Sequence, residues 1–344
     1  MPIAAEGATP VGHPLGGGLD PATLVPTWAF RAARPLVGPP APAGLPGVQW
    51  LIRRQLSGMF GGPGLGRPGT PGLLPPESVS WRVLAEPAGI AGGVRSLLLQ
   101  SAHPLAMAGV AQHSRYETDP LGRLAGTSAW VTVATYGSAD QALGLARRIR
   151  AMHARVRGVA PDGRPYAADD PDLLAWVQSS LTASLLATHQ LFSPRPLTPE
   201  EADRFVLEQA FLGAVLDPRA DAQRVRAEGL AAAGSLPLIA DGVLAVNRRG
   251  LADALRTWGP TLEVGPAAKD TVAFLRRAPL PPTARPAYRV LLAGAGASLP
   301  PTLASPLGLS VSPARIRALA ALLTAMRTGV GLSPSLTVAR TERV

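Results

Sequence analysis

The sequence contains no cysteine. That absence removes disulfides, thiolate-bound zinc, iron–sulfur clusters and a cysteine-ligated haem in one step. Lysine is nearly absent as well: Lys269 stands alone, so the net charge of +10 is carried by arginine. Aromatic residues make up 5%, which leaves little surface for stacking bases and argues against nucleic acid as a partner. No apolar run approaches the roughly 20 residues that span a bilayer. The opening MPIAAEGATPVGHPLGGGLD lacks the basic and then continuously apolar pattern of a secretion signal. Together these absences point to a soluble, cytoplasmic protein with at most a peripheral membrane contact. HExxH, a Walker-type phosphate loop and a Gly-x-Ser-x-Gly elbow are missing, as is any pair of histidines at i, i+4. Gly294-Ala295-Gly296 has no strand–turn–helix setting, and no Glu-x-x-His pairs suggest a di-iron site.

What is present describes a globular chain. Hydrophobic residues form 47% of 344 residues, enough for a large core and unlike a disordered composition. The positive surplus favours anionic partners. However, the arginines are scattered through helical segments instead of forming one basic block, as on a solvated, arginine-biased surface. Residues 1–46 are rich in proline and glycine (VGPPAPAGLPG) and read as an extended or disordered arm. A helix is expected at Val48–Met59, followed by a second Pro/Gly patch from Gly58 to Pro76. One helical domain is expected over 47–328, with a turn-rich connection at Pro279–Pro286 and a flexible tail over 329–344.

From Ser78 onward helix punctuation is dense. Asp119-Pro120, Asp170-Pro171 and Ser312-Pro313 each supply a cap and a first-turn proline. Ser138–Gln141 and Thr198–Glu201 match the capping box. Each start is followed by a period near 3.6, so the fold class is all-α. The segment WVTVATY, Trp130–Tyr136, carries strand-type residues and reads either as a short strand or, as we favour, a buried helix segment.

In the helix beginning at Ser138, Ala142, Leu145, Ala146, Ile149, Met152 and Val156 trace an apolar stripe that includes His153. A histidine on such a face suits a haem axial ligand, since neutral imidazole binds iron well. A satisfied core histidine has the same pattern, and spacing alone leaves both readings open. Arg123 and Thr127 stand at i and i+4 and can face one pocket; a surface arginine and a helix-terminal threonine would look the same. His103-Pro104 reads as a helix start, with His113 later in that helix near Tyr116. His189 shares the stripe of Leu181 and Leu185 and reads as a core residue.

The blocks SVSWRVLAEPAGIAGGVRSLLLQSAHPLAMAGVAQHS, GRLAGT, HARVRG and YAADDPDLLAWV resemble, in order and spacing, the DUF2236 family. That family includes the ER-bound oxygenase MpaB group and, more distantly, the latex-clearing rubber oxygenases. The resemblance runs from about Ser78 to Asp217 and weakens toward the C-terminus. It implies a single helical domain with a globin-like core around one haem b, and an oxygenase or dioxygenase acting with O2 on a hydrophobic, alkene- or isoprenoid-like substrate. A helical haem- or lipid-binding protein without catalysis is the alternative. By resemblance His153 matches the iron ligand, and Arg123 and Thr127 match an R-x-x-x-T pair that precedes it, as haem-orienting or catalytic residues. His103 and His113 match characteristic family positions near the cofactor. The chain departs from the pattern at Trp176-Val177-Gln178, where relatives commonly read WVH.

Overall fold

The computed structural model describes residues 71–113, 120–278, 280–310 and 312–330, with side chains described outside 120–127 and 327–330. The expected arm at 1–46, the expected helix at Val48–Met59 and most of the expected tail lie outside these residues.

Abundant proline is compatible with a helical fold because of where it sits. Pro87, Pro104, Pro120, Pro171, Pro199, Pro237, Pro266, Pro301 and Pro313 each occupy the first position of a helix. There the missing N–H has no intrahelical partner to lose and the fixed φ is already helical. The helices in chain order begin with α1 (Val79–Leu84), α2 (Pro87–Gln100), α3 (Pro104–His113), α4 (Pro120–Tyr136) and α5 (Ala139–His153). A two-stranded antiparallel hairpin follows, β1 (Arg157–Val159) and β2 (Pro165–Ala167), with Gly158 opposite Tyr166. Then come α6 (Pro171–Phe192), α7 (Pro199–Ala214), α8 (Ala222–Glu228), α9 (Pro237–Ala240) and α10 (Arg248–Trp258). The chain continues through α11 (Pro266–Arg276), α12 (Arg285–Ala297), α13 (Pro301–Ala304) and α14 (Pro313–Val330).

The caps read from the sequence are in place. Ser138 and Thr198 each accept from the third helical N–H while Gln141 and Glu201 reach back to the cap. Asp170 accepts from Asp172 N and Leu173 N. WVTVATY is helical: it forms the last two turns of α4, burying Trp130, Val133 and Ala134. Packing on the core outweighs the strand propensity of its β-branched residues.

The 22-residue helix α6 runs through the middle, buried on nearly every side. Such a helix needs no single apolar stripe, and its polar residues are instead satisfied locally. Thr182 and Thr188 hydroxyls donate to Gln178 and Ser184 carbonyls at 2.8 and 3.0 Å, and Gln190 clamps the Leu197 backbone through both amide atoms. Helix α2 lies closest. A β-carbon at Gly92 would stand 2.8 Å from Leu185 Cα, so only glycine permits this approach. Leu98, Leu99, Trp176, Leu185 and Phe205 lie in the largest core cluster, and each large side chain there removes about 2–3 kcal/mol of apolar surface from water. A second cluster joins α4, α5, the end of α7 and α8, while a third joins α2, α6, α12 and α14.

Candidate functional site

The candidate site lies where α5 ends and the hairpin begins. Helices α4 and α5 are joined by Gly137-Ser138 and pack on one another as a helical hairpin. Arg123 lies 13 residues before Tyr136 and His153 lies 14 residues after Ala139. At 1.5 Å per residue both stand about 20 Å along their helices from the turn. Thr127 is one turn nearer the connection.

His153 ends α5 half-buried, with its ring Nδ1 enclosed and without a hydrogen-bond partner among the described residues. Burial holds its pKa below the usual value, opposed by the negative charge of Asp169. The ring is therefore neutral near pH 7. Its neighbour Met152, expected on the buried stripe, is 48% exposed. Ala142 and Ala146 lie in the core and Leu145 and Ile149 pack against it, so the stripe meets the core as far as Ile149 and leaves it before Met152.

The chain then turns into the hairpin, which the sequence reading did not anticipate. Asp162-Gly163 at its tip was the available signal. Val156 N donates to His153 O at 3.0 Å, and Ala168 N to Val156 O at 2.9 Å. Alternation along the strand points Gly158 and Tyr166 inward. There the Tyr166 hydroxyl donates to Gln112 Oε1 at 2.7 Å, and Gln112 Nε2 donates to the Val159 carbonyl at 2.9 Å. Tyr166, Ala108, Ala160 and Leu173, with Leu105 and Val156 against them, form a small apolar cluster at this end of α5. Arg157 binds Asp169 at 2.6 Å on the outer side.

The other histidines are distributed around this centre. His113 is exposed at the end of α3, its Nε2–H donating to the Arg157 carbonyl at 3.1 Å. His103 caps the opposite end of α3, about 15 Å away along the axis. The two cannot serve one atom, so α3 separates them. His103 Nδ1 accepts from Ala106 N at 3.3 Å, which places its proton on Nε2. Its ring stacks, tilted, 5.3 Å from Trp176, and Trp176 meets Trp258 edge-on at 5.5 Å. The indole Nε1 of Trp176 is buried without a partner among the described residues. His189 is fully buried, as expected, with Nδ1 3.6 Å from the buried Glu86 carboxylate. Gln178, the residue that departs from the resembled pattern, donates to the Gln209 carbonyl at 2.8 Å and to Thr182 at 3.3 Å. It faces Gly213 of α7, where any β-carbon would intrude on it.

His103 carries a pH prediction. Burial, reinforced by the Arg164 charge, lowers its pKa from 6.5 to about 4. Above pH 6.5 it is neutral folded and unfolded, and its contribution is fully present. As pH falls from 6.5 toward 4 the unfolded chain takes up the proton first, so stability is lost. Urea unfolding at pH 7.5 and pH 5 should differ by about 2 kcal/mol on this account. His103→Asn keeps a capping acceptor and should remove that difference.

Among the described residues no three His, Cys, Asp or Glu side chains cluster as a metal site, and no helix is long and apolar enough to cross a membrane. No curated protein and no solved structure matches the chain. A family model does: that of the ER-bound oxygenase mpaB/B'/Rubber oxygenase catalytic domain matches residues 81–328. Since that span takes in His153, the hairpin and the central helix, the chain belongs to this oxygenase family.

Proposed function

We propose that the protein is a haem-b-dependent oxygenase or dioxygenase acting with O2 on a hydrophobic, alkene- or isoprenoid-like substrate. Family membership supports the oxygenase role and a small-molecule substrate. The observation that carries the haem reading is the His153 ring, neutral and with a buried nitrogen uncommitted to any described residue. An imidazole kept neutral by burial is what iron requires of a ligand. The open Nδ1 of His153 supports a fit to that group.

In this reading the helices enclose the haem in a globin-like core, and His153 holds its iron. The bound haem supplies dioxygen activation. Arg123 and Thr127, one turn apart on α4, hold and orient it through hydrogen bonds and charge. The cluster of Leu105, Val156, Ala160, Tyr166 and Leu173 keeps water from that side and offers apolar surface.

Gln178 favours a second reading, in which the fold binds haem or lipid without turnover. Its amide does not titrate and is spent on α7. Oxygen uptake by the haem-loaded protein, measured across a panel of isoprenoids, separates the two. We expect substrate-dependent consumption; tight substrate binding with no consumption would favour the second.

A further inference from the structure

We propose that the groove between α5 and α8 is a binding site for an anionic amphiphile, an apolar stem ended by a carboxylate or similar head group. It lies along the flank of α5 toward α8, and it does not depend on the haem reading. The groove is a half-open cavity of about 400 Å³, within the range that holds small ligands.

Its lining has two characters. Leu143, Gly144, Ala146 and Ala222 give an apolar floor, while Arg147, Arg150 and Arg226 face Asp140 across the rest. Arg150 is held rigidly, donating to the Val215 carbonyl at 2.9 Å and to Ala220 at 3.2 Å. Arg226 pairs with Asp140, both largely exposed. Arg147 is exposed and has no ion pair among the described residues. Arg226 is matched by Asp140 and Arg150 feels the charge of Asp217, which leaves Arg147 as the lining cation without an ion pair among the described residues, and the surplus is positive. A carboxylate or phosphate head matches the planar donors of arginine, and an alkyl stem matches the floor.

Gly144 leaves the floor of the groove open. It sits in the middle of α5, where glycine weakens the helix relative to alanine. A β-carbon there would meet nothing within 4 Å. No packing demand explains the glycine, whereas a side chain at 144 would fill the groove.

Calorimetric titration of the full chain with decanoate, below its micellar concentration, tests the site. Gly144→Leu should weaken binding by at least roughly tenfold while melting no lower than the parent. Arg147→Glu should weaken it by roughly tenfold, and Asp140→Asn should tighten it several-fold by removing the competing carboxylate. Inorganic phosphate and decanol, each lacking half the ligand, should bind more weakly than decanoate. Phosphatidylglycerol vesicles bound in a Gly144-sensitive way identify a membrane lipid as the source of the head group. Decanoate binding without vesicle binding identifies a free fatty acid. No decanoate binding, binding unchanged in Gly144→Leu, or equal binding of phosphate or decanol would overturn the proposal.

Discussion

His153→Ala is expected to lose haem while keeping the fold. The substituted ring is half-buried and its Nδ1 makes no hydrogen bond to a described residue, so its removal breaks little that supports the structure. A change within about 1 kcal/mol follows, which is a few degrees of melting temperature for a domain this size. Haem per chain, read by pyridine haemochrome, should fall by at least roughly tenfold if the one iron ligand is gone. His113→Ala is the control. That ring is exposed and is engaged by the Arg157 carbonyl and, edge-on, by Tyr166, so the variant should retain its haem. Retention in His153→Ala together with loss in His113→Ala would move the ligand to α3.

The largest effect on stability is expected at Arg95. Its guanidinium is fully buried, with Nε donating to the Ser298 carbonyl at 3.1 Å and Nη1 to Ser184 Oγ at 2.8 Å. One side chain thus ties α2 to α6 and to the end of α12. Burial lowers its pKa to about 10, which still leaves it charged at neutral pH. Arg95→Ala leaves those acceptors enclosed without a donor and opens a cavity, at a cost of about 3–5 kcal/mol. The melting temperature should drop by roughly 6–20 °C. Arg95→Lys should recover only part, since an ammonium cannot reach both acceptors with the fork of a guanidinium. A melting temperature unchanged in Arg95→Ala would show that the α2–α6–α12 contact does not depend on this residue.

The features legible in the sequence were those set by neighbours along the chain. The capping boxes at Ser138 and Thr198 and the cap at Asp170 lie within three residues of the groups they satisfy. The core placement of His189 follows from helical periodicity alone. The features that escaped depend on contacts across the fold. Arg95 sits in the run VRSLLLQ with nothing local to mark it as buried, because its carbonyl partner lies 203 residues away. The stacking of His103 on Trp176 joins α3 to α6, and the exposure of Met152 on an apolar stripe is set by what packs against α5 from elsewhere in the chain. Around the site, HARVRG was recognisable as a block, yet the hairpin that begins at its Arg157 was not. Its strands are three residues each, and Tyr166 is held by Gln112 from a separate helix. Gln178 stood out as a departure from the family pattern, and only the packing of α6 on α7 shows what the amide does instead.

The central claim is that His153 anchors a haem. The direct measurement is the absorption spectrum and haem content of the protein purified from cells supplied with haem. The account predicts a Soret band and about one haem per chain, for a single histidine-ligated site. A folded protein that shows no Soret band and takes up no haem on titration would contradict it.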